Sequence, residues 1–344
     1  MNLKKVGEVY KVFSDAIDGD LRARVKLSES LTTSDFPQLL GSALNRKLQG
    51  KYKEQNPVWK QYADEATVPN FNEQGLVSFQ TVTRGLPLVP EATEYPATSL
   101  KESSAKFRVF KYGERLGITY EMVVNDQLGA WRRIDEILAA KAVDHESMLT
   151  AKALLKADMT DVNTDVFKDA FKPVESKELS YDNLAEAFQV LNTRTTLAGV
   201  PLARPEMVLV VPPQLEMTAL ALANATEVEV TDKGKKYKQG NPLRGLFTVV
   251  VDPALSLSKH AQAAKTWFLL PKPGTVNPAI VTAFLAGHRA PELRYKADAG
   301  NRPGGGAIDP REGSFDDDTV QYRVRHIVGA AVVDPTFTYV ARGA

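Results

Sequence analysis

Four histidines, a carboxylate trio, a lysine cluster and a glycine run are the residues here whose types suit chemistry. His145, His260, His288 and His326 are scattered, and none shares a metal-binding spacing with another. Asp316, Asp317 and Asp318 offer hard oxygen ligands of the kind Ca²⁺ or Mg²⁺ takes. Adjacent residues of an extended chain point to opposite sides, however, and one trio falls short of the roughly six to eight oxygens such an ion needs. The trio reads as a solvated strand entry. "KGKKYKQG" at 233–240 sets four lysines around Tyr237, which suits a phosphate or a stacked base; a solvated loop is the simpler reading. Gly304, Gly305 and Gly306 lack the Lys-Ser/Thr and the helix of a phosphate loop. Neither a dinucleotide fingerprint, a nucleophile elbow nor a zinc-protease helix motif occurs. No nucleophile, base and oxyanion donor can be named together. No catalytic residue, metal site or cofactor is therefore expected, and the reading moves towards a structural or assembly protein.

Bulk properties agree with that direction. The 344 residues suffice for two or three packed units. Apolar residues make up 43% and charged residues 25%, as in ordinary globular proteins. Forty-three basic side chains face 42 acidic ones, without the basic excess of a dedicated nucleic-acid binder. The lack of cysteine excludes disulfides and thiolate metal sites. The N-terminus lacks a signal peptide's apolar core, and no run approaches the ~18 apolar residues of a membrane span. The protein is expected to be made in the cytoplasm and to stay soluble there. The start at Met1 is taken to mean that no large N-terminal segment has been cut away.

The elements that must position any function follow from periodicity. Residues 1–70 are polar, helix-prone and poorly cored. Ser34 or Asp35 suits a helix cap and Pro37 an early helical position, with Leu39, Leu40, Leu44 and Leu48 following at helical spacing. So narrow a stripe is marginal alone; the helix docks on its own domain or reaches a neighbouring subunit. Residues 75–113 hold two alternating runs, Val77-Phe79-Thr81 and Phe107-Val109-Lys111, around a middle of about 25 residues with Pro87, Pro90 and Pro96. Proline breaks ladder pairing, and a connection this long belongs to function or to a partner surface. A two-stranded flap is expected, its tip carrying Leu86, Leu88 and Tyr95, with Lys101 and Lys106 in or beside it. After Asn125 and Asp126, both suitable caps, Leu128, Trp131, Ile134 or Asp135, Leu138, Ala142, His145 and Leu149 recur at spacings of three and four. Without Gly or Pro between Ala130 and Asp158, this helix could run ~28 residues, or ~42 Å. His145 on that stripe reads as a packed histidine. Residues 178–315 alternate helix and strand, from the capped helix "SYDNLAEAFQVLNTRTT" through "EMVLVVPPQ", "FTVVVDP" and "TWFLLPKP". A Gly- and Pro-dense loop then leads to closing strands in which Val320, Tyr322, Val324 and His326 alternate with polar neighbours.

In this order the chain resembles the major capsid proteins of tailed bacteriophages. The resemblance rests on "LTTSDFPQLLGSALNRKL…YADEATVPNF", on "KYGERLGITYEMVVNDQLGAW" and on the closing "R-V-R-x-x-V-G-A-A-V-V-D-P". The first two phrases are similar to a branch whose shell domain can be fused behind a prohead protease, together with Mu-like head subunits. The resemblance implies an α+β, HK97-like capsid fold. Its parts would be an N-terminal arm at 1–70 and an extended E-loop hairpin at 71–113. A peripheral domain at 114–177 would carry the spine helix, about 126–157. An α/β axial domain would follow at 178–315, and closing strands of the peripheral domain at 316–344.

What the resemblance implies about function follows. The subunit would self-assemble into hexamers and pentamers of an icosahedral shell around the phage double-stranded DNA genome, in the virion, after assembly in the host cytoplasm. Scaffold, portal and decoration proteins would be partners, contact with DNA would be non-specific, and no membrane would be involved. Leu39, Leu40, Leu44, Leu86, Leu88, Tyr95, Lys101 and Lys106 become candidates for contact between subunits. Leu128, Trp131, Leu138 and Leu149 become the core of the spine. Some members of the family weld an E-loop lysine to a peripheral-domain asparagine. Lys101 and Lys106 suit one end of that bond, but residues 315–344 contain no asparagine or glutamate, and Asp334 stands where an amide would be wanted. A shell held without covalent bonds is expected. Two other readings stay open: an encapsulin-like nanocompartment of the same fold around enzyme cargo, and a hydrolase or transferase with a dispersed site in 178–315.

Overall fold

The computed structural model describes residues 11, 22, 36–81, 88–89, 91, 94, 100–119, 134–156, 158–163, 167, 176–195, 199–232, 235–275, 278–296 and 319–343. In chain order its main elements are α1 (Phe36–Glu54), β1 (Asp64–Val68), β2 (Gln74–Thr81), β3 (Leu100–Phe107), β4 (Phe110–Thr119), α2 (Ile134–Leu154) and α3 (Tyr181–Asn192). There follow β5 (Met207–Val211), α4 (Glu216–Asn224), β6 (Glu227–Asp232), β7 (Lys235–Gly240), β8 (Phe247–Val251) and β9 (Trp267–Pro271). The chain ends with β10 (Ile280–Leu285), β11 (Glu292–Lys296), β12 (Thr319–Val332) and β13 (Tyr339–Ala341). Two compact units emerge, each made of discontinuous segments.

The first unit contains α1, β4, β11, most of β12 and the first half of α2. β12 runs antiparallel to β4, from Phe110↔Val328 to Thr119↔Thr319, and antiparallel to β11, from Glu292↔Arg325 to Lys296↔Gln321. Residues directly opposite share a sheet face. One face therefore carries Tyr322, Val324 and Leu293, which pack on Leu48 and Tyr52 of α1 and on Leu138, Ala139, Ala142 and Val143 of α2. Asn45 Oδ1 accepts the backbone N–H of Leu293 at 2.9 Å, tying α1 to β11. Buried Asp135 is matched by Lys47 at 3.3 Å.

The second unit is organised around a mixed sheet in the order β13-β9-β5-β8. β5 is parallel to β8 and antiparallel to β9, and all five of its residues are buried. A fully apolar strand between two neighbours is what "MVLVV" demands, and Pro212 and Pro213 end it. α3 begins where Ser180 accepts the N–H of Asn183 at 3.3 Å, and its Leu184, Phe188 and Leu191 close one side of the core over Met207, Leu209 and Trp267. β1 pairs in parallel with β10 in the same unit. Tyr62 donates to Asp252 Oδ2 at 2.6 Å, and Asp252 Oδ1 caps the turn at Ala254 at 2.8 Å.

That buried pair has a pH signature. Burial pushes the Asp252 carboxyl above the ordinary carboxylate range, against the hydrogen bonds from Tyr62 and Ala254, which pull it down. A carboxyl raised in the folded state favours folding below its unfolded pKa, and that advantage is lost as pH rises through the folded value. Tyr62→Phe removes one of the stabilising bonds and raises Asp252 further. The variant is expected to lose about 1–3 kcal/mol at neutral pH, with a smaller loss at about pH 4, where the carboxyl is partly protonated. Urea unfolding at the two pH values measures this, and an equal loss at both would contradict it.

Several expectations change here. Residues 45–70 are not poorly cored: Leu48, Trp59 and Tyr62 are among the largest fully buried side chains. The second half of α1 is therefore docked on its own chain and is not part of a free arm. The spine helix ends at Leu154, short of 157, because Leu155 forms a bridge with Val162 and Met159 turns back at φ 60°. Its described 21 residues span ~32 Å; the expected start at 126 lies outside the described residues. On α2 it is Glu146 and Thr150 that are fully buried, while His145 and Leu149 are only partly so. The indole N–H of Trp59 meets Glu146 at 3.2 Å, and the Thr150 hydroxyl bonds the Glu146 carbonyl and the Thr282 hydroxyl, each at 2.9 Å. β13, expected in the peripheral domain, joins the sheet of the second unit, with Tyr339 stacked on Trp267 at 5.4 Å. Of the lysine cluster expected as a solvated loop, Lys235–Gly240 forms a strand, β7, while positions 233 and 234 lie outside the described residues.

Candidate assembly surfaces

A subunit of the kind the sequence resembles would need surfaces that its own core leaves open. Three stand out among the described residues. The first is the flap. β2 and β3 pair antiparallel from Gln74↔Phe107 to Thr81↔Leu100 and form a sheet of their own, with residues 82–99 between them. β3 starts earlier than its sequence suggests, because the polar run "LKESSAKF" takes its order from pairing with "QGLVSFQT". At its root Phe71 is half exposed and Lys106 meets Glu73 at 3.5 Å. Leu88 is 93% exposed, as an apolar contact residue waiting for a partner would be.

The second surface is the face of the β4–β12–β11 sheet opposite the helices. Register places Lys111, Gly113 and Arg115 on one strand opposite Ile327, Arg325 and Arg323 on the next, and Glu292, Arg294 and Lys296 beyond. Lys111, Arg115, Arg323 and Arg325 line an open groove of about 350 Å³. A Cβ at Gly113 would lie 2.4 Å from the Val324 carbonyl oxygen, so only glycine lets the strands approach this closely there. Burial works to raise the pKa of Glu292, but hydrogen bonds from His288 and Arg325 outweigh it and hold the carboxyl below its ordinary range. Sequence reasoning missed this face, since its cations lie on three strands far apart in the chain; alternation within "RVR" was the available signal.

The third is the β6–β7 hairpin. It is antiparallel from Glu227↔Gly240 to Asp232↔Lys235 and is joined to no other strand among the described residues.

The expected contact residues fall unevenly on these surfaces. Leu39, Leu40 and Leu44 lie in the first half of α1, but their side chains are outside the described residues. Lys101 lies on β3 with its side chain likewise outside, and Leu86 and Tyr95 lie outside altogether. Lys106 is exposed at the flap root. Of the spine residues, Leu138 is buried in the first unit and Leu149 partly buried, while Leu128 and Trp131 lie outside the described residues. Asp334 is occupied locally, its Oδ1 accepting the Thr336 N–H at 2.8 Å. Among the described residues no group of His, Asp or Glu could hold a metal ion, and no helix is long and apolar enough to cross a membrane.

Known proteins share this architecture. The mature capsid of bacteriophage PhiM1 aligns with 84% of this chain and 88% of its own, at 10% identity and a TM-score of 0.50. The capsid of an empty GTA particle aligns over 84% and 90%, at 12% identity and a TM-score of 0.50. The holo-SrpI encapsulin complex of Synechococcus elongatus matches over 84% and 88%, at 10% identity and a TM-score of 0.47. No curated protein sequence matches the chain. The fold is that of the HK97-like shell proteins. A model of the phage capsid protein family matches residues 102–341, and the chain belongs to that family. It is a major capsid protein, a structural subunit of the icosahedral head.

Proposed function

We propose that this subunit assembles into hexamers and pentamers that close around phage double-stranded DNA, and that all contacts between subunits are non-covalent. The observation that carries this reading is the flap. It is a two-stranded limb joined to no larger sheet among the described residues, with an almost fully exposed leucine, Leu88, in the stretch between its strands, on a chain of the capsid family. A single standard interface buries ~1,600 Å², and several limbs per subunit add weak contacts into a stable shell. The part of α1 before residue 45, with Leu39, Leu40 and Leu44, supplies a second limb. Scaffold and portal proteins direct closure, decoration proteins are further candidates to bind the finished shell, and assembly takes place in the host cytoplasm. The enclosed duplex is met non-specifically and in a salt-sensitive way. The role is construction, with no reaction assigned.

Co-expression with its scaffold tests the reading: particles holding nuclease-protected DNA or competent to package it are expected, and enzyme cargo in place of nucleic acid would contradict it. The absence of welding is checked separately. Lys106 is engaged with Glu73, and Asp334 offers a carboxylate where an amide electrophile would be required. Mature particles boiled in detergent are expected to run as one band at the chain mass of 37.8 kDa. A ladder of resistant multimers would overturn this.

A further inference from the structure

The β6–β7 hairpin is built from two strands of opposite charge. β6 carries Glu227, Glu229 and Asp232 and no cation; β7 carries Lys235, Lys236 and Lys238 and no carboxylate. Within the hairpin, Glu229 stands opposite Lys238 and Asp232 opposite Lys235. The root is fixed. Asn241 Nδ2 donates to the carbonyls of Leu222 and Ala225 at 2.9 and 3.0 Å, and Asn241 Oδ1 accepts the Leu243 N–H at 3.0 Å. Gln239 Nε2 adds a bond to the Tyr181 hydroxyl at 3.4 Å, and Val228 is buried. The ribbon is thus tied to α3 and α4. Its two outer edges pair with no other strand among the described residues.

An open strand edge is a template for another strand, and here the charges decide which. Two β7 edges together would set lysines against lysines, and two β6 edges carboxylates against carboxylates. Like charges directly opposite destabilise a strand pair. β6 of one copy against β7 of another continues the alternation of acid and base. Such a contact uses different surfaces on the two copies, so it is heterologous and repeats head to tail until it closes as a ring. The strands remain antiparallel throughout if the ring axis runs along them.

We propose that β6 of each subunit pairs edge to edge with β7 of the next, so that the hairpins of one capsomer form a continuous closed sheet. The partner is a second copy of this chain, and the proposal rests on the shell reading above. It gives the lysine cluster a role that neither phosphate binding nor a solvated loop provides.

The test exchanges the charges. One variant carries Glu227→Lys, Glu229→Lys, Asp232→Lys, Lys235→Glu, Lys236→Glu and Lys238→Glu together. It keeps acid opposite base within each hairpin and is expected to assemble alone. Mixed with wild type, it would set like against like wherever a wild-type hairpin meets a variant one. Differently tagged wild-type and variant chains, co-expressed and measured by native mass spectrometry, are expected to give mixed capsomers about tenfold below the statistical share. Statistical mixing would overturn the proposal while leaving the shell reading intact. Wild-type chains that form no oligomer at all would overturn both. Because the chain has no cysteine, a second measurement covers failure of the six-fold variant to fold. Glu229→Cys and Lys238→Cys, made on separate chains, cannot form a bond within one hairpin, and with the ring axis along the strands they stand at the same height on neighbouring copies. A mixture of the two, oxidised after assembly, is expected to yield disulfide-linked heterodimers well above the dimers of either variant alone. Heterodimers at or below that level would overturn the proposal.

Discussion

Leu138→Asp is expected to abolish assembly and to leave most of the protein insoluble. Leu138 is 6% exposed and sits in the cluster formed by Leu48, Tyr52, Ala139, Ala142, Val143 and Leu293. A carboxylate there loses the burial energy of the leucine and gains no matched cation, since Lys47 is already engaged with Asp135. The cost is about 4 kcal/mol or more, a large part of the ~5–15 kcal/mol that holds a domain together. Because this cluster fastens α1 and α2 to the β4–β12–β11 sheet, the loss would loosen the whole first unit. Soluble fraction and particle yield are the measurements. Shells of normal size and yield from the variant would show that this face of the spine is not the core.

Trp59→Ala is expected to be nearly as damaging in the second unit. Trp59 has no exposed surface, lies with its ring centroid 6.1 Å from that of Phe284, and donates its indole N–H to fully buried Glu146. Truncating a buried tryptophan costs about 3–5 kcal/mol, which corresponds to a fall in Tm of about 10 °C. Trp59→Phe keeps most of the apolar contact and removes only the N–H. Its cost should be nearer about 1–3 kcal/mol. Equal losses from the two variants would mean that the bond to Glu146, and not the packing, is what Trp59 supplies.

The residues legible in the sequence were those whose surroundings are local. Ser180 ahead of α3 and the apolar β5 before Pro212 needed only capping chemistry and an unbroken hydrophobic run, and both appear as read. Leu138 was legible because helical spacing places it without reference to any partner. The misread positions depend on partners distant in the chain. Glu146 and Thr150 look like solvent-facing residues, yet they are buried, with Trp59 and Thr282, 87 and 132 positions away in sequence, among their partners. β3 and β7 carry too few apolar residues to announce strands; each is a strand because the run opposite it is one. The basic face of the β4–β12–β11 sheet needs register between three separate segments. The flap was legible as a two-stranded limb, from its flanking alternation and its prolines, but not the start of β3.

The central claim is that copies of this chain build a closed shell. Negative-stain electron microscopy of the full chain, purified after co-expression with its scaffold, tests it most directly. Uniform icosahedral particles are expected, or capsomers, tubes and sheets where closure is incomplete. A protein that remains monomeric in every assembly condition, in micrographs and by sedimentation, would contradict it.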